Sequence, residues 1–174
     1  IGLILVVIAG AELFTGNNLL VMAYVSKKIT SFQLLRNWVI VWFGNFVGAV
    51  SIAIWIYIAK SWMTNNALVG AKMLLIANAK ATLPFSVAFS RGVLCNALVC
   101  LALWLCMSCR TTTDKILSIV FPITAFVALG FEHSVANMYF IPIGLLLKNN
   151  PKVLEAVVAL TGQTGDFSGL TTHA

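Results

Sequence analysis

Glu132, His133 and Asn137 set a carboxylate, an imidazole and an amide into the otherwise apolar run 116–147. Such a group can take up or release a proton, hold a small anion through hydrogen bonds, or satisfy backbone groups where a helix stops. An ionisable side chain at membrane depth costs roughly 2.5–3.5 kcal/mol on insertion scales, so it faces a cavity or a bundle interior and is a functional candidate by default. As one helix the run would extend about 48 Å, against a hydrocarbon core of roughly 30 Å. Two shorter pieces meeting near residues 130–134 fit better. Irregular backbone at that depth is tolerated only where it is buried in protein or lines a cavity.

The elements that must position these groups follow from composition. With 60% hydrophobic and 9% charged residues in a chain of 174, there is too little polar surface to cover a soluble domain, and an all-α integral membrane protein is expected. The net charge of +6 comes from eleven bases against five acids, and the bases are spread through connections without forming a basic face. That distribution argues against nucleic acid and for an anionic solute or membrane lipids. Cys95, Cys100, Cys106 and Cys109 fall within one apolar segment and read as packing residues. The Cys106–Cys109 CxxC spacing has no second pair beside it, so no metal and no cofactor is expected.

Along the chain, residues 1–25 read as a broken span interrupted from Glu12 to Asn18, and 37–59 as a charge-free span. Gly44 and Gly48 give that span GxxxG spacing, which suits close helix approach or ordinary small-residue packing. Residues 65–80 are too polar to span and predict an interfacial helix. A span follows at 85–109, then the broken segment 116–147 and a terminal loop from Lys148. The bases of the short connections 26–36 and 110–115 place that side in the cytoplasm. Ile1 lies inside an apolar run without a methionine or basic leader, which reads as a fragment.

A GxExxxxN pattern occurs twice, at Gly10, Glu12 and Asn17 and again at Gly130, Glu132 and Asn137. Between the copies lie the two complete spans, so the copies cross the membrane in opposite senses, as in an inverted repeat. A six-span parent is then expected, of which this chain holds the middle four. The first and last spans would lie outside it.

Gly10-Ala11-Glu12-Leu13-Phe14-Thr15-Gly16, the stretch from Gly92 to Ala102, and the stretch from Gly130 to Met138 together resemble three hallmark segments of the formate/nitrite transporter family. The resemblance covers essentially the whole chain. It implies an aquaporin-like arrangement with two broken helices, a homopentamer with a pore in each protomer, and a multi-pass protein of the cytoplasmic (inner) membrane. By the same resemblance, His133 is the central pore histidine and Thr15 the threonine of the loop that breaks the second span. Leu13, Phe14 and Val99 resemble the cytoplasmic constriction, and Leu3 and Phe126 the outer one. Asn96 resembles the pore-facing amide and Lys80 the lysine at the extracytoplasmic approach. Ala97 departs from the pattern, which carries a bulkier residue there.

The function so implied is a channel or proton-coupled transporter for a small monovalent anion. Formate leads because the continuation from Asn137 to Gly144 looks most like formate-type members, with nitrite and hydrosulfide as alternatives. A bare anion loses its hydration in a narrow apolar ring, whereas a neutral weak acid does not. Lys80 would concentrate the anion, and protons would reach it with His133 as donor, relay or fixed hydrogen-bond partner. Whether His133 exchanges its proton stays open at this level. Glu12, Asn17, Glu132 and Asn137 are expected to support the helix breaks rather than to bind substrate, since a carboxylate repels an anion. An enzyme is not expected, because Glu132-His133 lacks HExxH spacing and no nucleophile–base set accompanies it. A non-transporting scaffold would explain the apolar spans but not the buried ionisable groups.

Overall fold

The computed structural model describes residues 2–162, 165, 167, 169 and 170; Ile1 and the remaining C-terminal positions lie outside the described residues. Among the described residues the regular structure is entirely helical. The helices are α1 (Gly2–Ala9), α2 (Leu20–Val25), α3 (Ser31–Ile58), α4 (Leu68–Ala81), α5 (Phe85–Ser108), α6 (Thr112–Ala128), α7 (Ser134–Leu147) and α8 (Pro151–Thr161), with short 3-10 turns at Asn17–Leu19 and Ser61–Met63. Among the described residues, only α3 and α5 are both long and apolar enough to cross a membrane unaided. The chain divides into two compact units.

The first unit comprises residues 2–45 and 86–134. Its helices start where short side chains take over from missing helix partners. At the head of α3 the Gln33 N–H donates to Thr30 Oγ1 at 3.3 Å, and the Thr30 N–H donates to Gln33 Oε1 at 2.8 Å. The same reciprocal cap opens α6, where Asp114 N–H donates to Thr111 Oγ1 at 3.1 Å and Thr111 N–H to Asp114 Oδ2 at 3.2 Å. Each box satisfies two backbone donors that a helix start leaves open. The Thr30 box starts α3 at Ser31, ahead of the apolar run that begins at 37. Helix α1 packs on α6, around a buried apolar cluster of Leu3, Val99, Ala102, Cys106 and Ile119.

The second unit comprises residues 46–85 and the described residues from Val135 onward. Its core joins Ala71, Leu74 and Ala77 of α4 to Ile143 and Leu147 of α7, Val153 of α8 and Leu170, all fully buried. Here the terminal loop expected from Lys148 gives way to α8. Asn150 Oδ1 accepts the Lys152 N–H at 3.1 Å, Pro151 occupies the first helical position, and Gly162 closes the helix at φ +71°. Val153, Ala156 and Val157 form the apolar stripe of this short helix and are buried. A Cβ at Gly70 would lie 3.0 Å from the Trp62 carbonyl oxygen, so α4 can approach the 3-10 turn this closely only with glycine there.

Gly44 and Gly48 are open: a Cβ at either meets nothing within 4 Å, so the close approach allowed by their spacing is not made among the described residues. Gly144 is the opposite case. A Cβ built there would overlap Ala77 Cβ, and both helices are buried at that point. Gly144→Ala should therefore destabilise the second unit by about 1–3 kcal/mol through overpacking. A thermal melt of the full-length protein in detergent reads this as a lowered Tm, and an unchanged Tm would contradict the packing described.

Candidate functional site

Helix α1 ends at Ala9, and Gly10 turns the chain with φ +73°. Helix α6 ends in the same way, with Gly130 at φ +66°, the Gly130 N–H on Val127 O and the Phe131 N–H on Phe126 O, both at 3.1 Å. That pair of bonds is the Schellman arrangement, which needs a left-handed residue and so favours glycine. The first glycine of each GxExxxxN copy thus stops a helix. The chain then runs without helix through residues 10–16 and 131–133.

The first interruption is braced from α3. Asn45 Oδ1 accepts the Phe14 N–H at 2.9 Å, and Asn45 Nδ2 donates to the Glu12 carbonyl at 3.1 Å. Trp38 Nε1 donates to the Asn17 carbonyl at 3.1 Å, and Asn17 Nδ2 donates to Asn37 Oδ1 at 2.9 Å. Asn17 also donates to the Glu12 carboxylate. The carboxylate therefore holds a side-chain amide, and the backbone groups expected of it go to Asn45. Sequence reasoning passed over Asn37, Trp38 and Asn45. The two amides inside the charge-free run 37–59 are the available signal.

The two interruptions meet at Thr15 and His133, which lie 118 positions apart in sequence. Thr15 Oγ1 is 3.2 Å from His133 Nε2. The imidazole stacks on Phe126 with ring centroids 5.9 Å apart and planes 16° from parallel, which fixes its plane. Thr15 and Glu132 are both 7% exposed. A hydroxyl can donate or accept, so the contact suits either neutral tautomer of the ring.

Around this pair is a cavity of about 410 Å³, walled by Phe14, Thr15 and Asn18 on one side, by Phe89, Gly92, Val93, Cys95 and Asn96 of α5, and by Glu132, His133 and Ser134. Asn96 Oδ1 is buried and has no hydrogen-bond partner among the described residues, while Asn96 Nδ2 lies 3.6 Å from Cys100 Sγ. An open acceptor in a mainly apolar wall suits a small molecule that carries a proton. Of the apolar residues predicted for the site, Leu3, Leu13, Val99 and Phe126 belong to the cluster between α1, α5 and α6, and Phe14 lines the cavity. Lys80 and Asn137 lie in the second unit, where the Lys80 ammonium stands 5.9 Å from the centroid of the Phe140 ring. Phe14, Thr15, Asn96, Glu132 and His133 are the predicted site residues that share one cavity.

Comparison with known proteins places this geometry. Residues 1–164 match the family described as formate/nitrite transporter. The chain is 44% identical over 146 residues to the formate channel FocA of Haemophilus influenzae, covering 84% of this chain and 51% of that protein. It is 43% identical over 159 residues to FocA of Escherichia coli K12, covering 90% and 56%. A solved structure described as a pentameric formate channel with formate bound superposes with a TM-score of 0.86 at 37% identity, covering 99% of this chain and 67% of that one. The chain spans about half the length of the curated relatives it matches. On the match over residues 1–164 and the shared helical fold, this chain belongs to the formate/nitrite transporter family and is part of a helical membrane protein.

Proposed function

We propose that this chain forms the substrate pathway of a formate channel, with the cavity at Thr15 and His133 as its centre. The observation that carries the reading is the 3.2 Å contact between the threonine of one helix interruption and the histidine of the other, inside a cavity walled mainly by apolar groups. In the full protein the two interrupted segments act as the broken spans of a six-span inverted repeat, and the protomers assemble as a pentamer with a pore in each. The protein sits in the cytoplasmic membrane.

The chemistry follows from the solvation of the substrate. Formate carries its charge on two oxygens, and stripping water from that charge in a narrow apolar ring costs several kcal/mol, whereas neutral formic acid keeps one donor and two acceptor positions and crosses at far smaller cost. The apolar residues Leu13, Phe14 and Val99, and Leu3 with Phe126, serve as the rings that impose this discrimination. Within the cavity Thr15 offers a hydroxyl, Asn96 an acceptor, and His133 a ring nitrogen that can give or receive a proton. Glu12 and Asn17 with their partners hold the first interruption, and Glu132 and Asn137 serve the second. Lys80 keeps the role of cation at the approach on resemblance alone. Nitrite and hydrosulfide share the single charge and a protonated neutral form, so they are the competing substrates.

Formate flux into proteoliposomes of the full-length protein, measured across a pH gradient, tests the reading. Flux should rise as the pH on the formate side falls, because the proton that neutralises the bound anion is then more readily supplied through His133. His133→Asn should lose that pH dependence and on the order of a hundredfold in proton-linked rate, the low end of what a positioned proton donor contributes. An identical pH profile in both would reduce His133 to a wall residue, and no flux of formate, nitrite or hydrosulfide from the assembled protein would sink the transport reading. Thr15→Val keeps the side-chain shape but removes the hydroxyl, worth about 1 kcal/mol of hydrogen bonding. It should slow formate flux several-fold, about what that energy corresponds to, while Thr15→Ser stays near the native rate. Equal rates for the valine and serine variants would contradict a role for the hydroxyl.

A further inference from the structure

The segment that carries Thr15 has no helix of its own to hold it. Between Ala9 and the 3-10 turn at Asn17 its internal bonds are short-range: the Gly16 and Asn17 N–H groups both return to Leu13 O, at 2.9 and 3.0 Å. A turn closed on itself keeps its shape but can move as a body. At its start the Ala11 N–H returns to Leu5 O of α1 at 3.2 Å, and from Glu12 onward its backbone is tied to α3. Leu34, Trp38, Val41 and Asn45 recur at spacings of four, three and four, which puts them on one helical face. Leu34 and Val41 are buried, Trp38 donates to Asn17 O, and Asn45 makes both of its bonds to the backbone of the interruption.

Asn45 is specific in a way the other three are not. A backbone N–H can only donate and a backbone carbonyl can only accept, so the Phe14 N–H and the Glu12 carbonyl together require one acceptor and one donor about a peptide unit apart. A primary amide supplies both from one planar group, and the two partners fix which end is oxygen. Leucine has nearly the same size and supplies neither. Phe14 is the residue before Thr15, so the 2.9 Å bond to its N–H is made one residue from the hydroxyl that faces His133.

We propose that Asn45 is a positioning residue: its amide stands in for the helix's own hydrogen bonds at the interruption and so sets where the Thr15 hydroxyl lies relative to the His133 ring. Neither hydrogen bond of Asn45 goes to either side chain. Its influence on transport rests on the function proposed above, but its influence on the Thr15–His133 contact does not.

The test compares the full-length protein with Asn45→Leu and Asn45→Asp in lipid. It reads backbone amide exchange at Phe14, the nitrogen-15 resonance of His133 Nε2 by solid-state NMR, and formate flux. Asn45→Leu should speed exchange at Phe14 by about tenfold, the factor that about 1.4 kcal/mol corresponds to, and should move the His133 resonance although the substituted residue makes no hydrogen bond to the ring. Asn45→Asp keeps an acceptor for the Phe14 N–H, so it should recover Phe14 protection and return the His133 resonance toward its native position. Flux should follow the same order, native fastest and leucine slowest. An unmoved His133 resonance in the leucine variant would overturn the proposal, whatever happens to exchange, because the amide would then be a structural bond without reach to the ring. An aspartate variant as perturbed as the leucine one would also overturn it. If the leucine variant fails to assemble, the aspartate variant decides by its Phe14 exchange: native-like protection supports the proposal and loss of protection overturns it. Exchange and NMR need no formate, so a native protein that carries none would defeat the transport reading while leaving this proposal to stand or fall on those two measurements.

Discussion

A helix that stops inside an apolar medium leaves backbone N–H and C=O groups with no water to turn to, and each one left open costs several kcal/mol. Two helices of this chain stop short, at Ala9 and at Ala128, and under the function proposed here both stops lie at membrane depth. The second stop is solved locally, by a left-handed Gly130 that folds the next two N–H groups back onto α6. The first is solved locally only in part. Its Gly10 turns the chain so that the Ala11 N–H returns to Leu5 O, but Glu12 O and Phe14 N–H are met by a side chain from α3, more than thirty positions away in sequence. Most of what is distinctive in the first unit follows from this need to satisfy backbone groups without a helix.

Once each interruption is held, its side chains are held too. Thr15 and His133 each sit just before a helical segment resumes, and each is fixed by a neighbour: Thr15 through the Asn45-braced turn, His133 through its stack on Phe126. Their contact places a hydrogen-bonding pair beside apolar walls, with the open acceptor of Asn96 on α5 lining the same space. Under the function proposed here, that contrast is what separates a neutral acid from its anion. In that proposal the polar pair recognises the molecule, and the apolar cluster built from Leu3, Leu13, Val99 and Phe126 refuses its charged form.

Much of this was legible in the sequence. The repeated GxExxxxN pattern marked both helix stops, and its glycines are the two that take positive φ there. Thr15, Asn96, Glu132 and His133, which the sequence marks as site residues, line one cavity. Asn45 was not named, because its partners are backbone atoms, and a sequence does not say which backbone groups will be orphaned. The helix α8 was missed because its stripe of Val153, Ala156 and Val157 is too short to stand out, although Asn150-Pro151 is a recognisable start signal. The GxxxG spacing at Gly44 and Gly48 showed the opposite failure: a pattern that permits close packing, with no neighbour among the described residues to use it.

The central claim is that substrate is held where the two interruptions meet. It is tested most directly by a cryo-electron microscopy structure of the full-length protein in lipid with saturating formate. The account predicts density for a small planar molecule inside each protomer, within hydrogen-bonding distance of both Thr15 Oγ1 and His133 Nε2. Formate density elsewhere in the protomer, with the Thr15–His133 cavity empty or filled by a side chain, would contradict it.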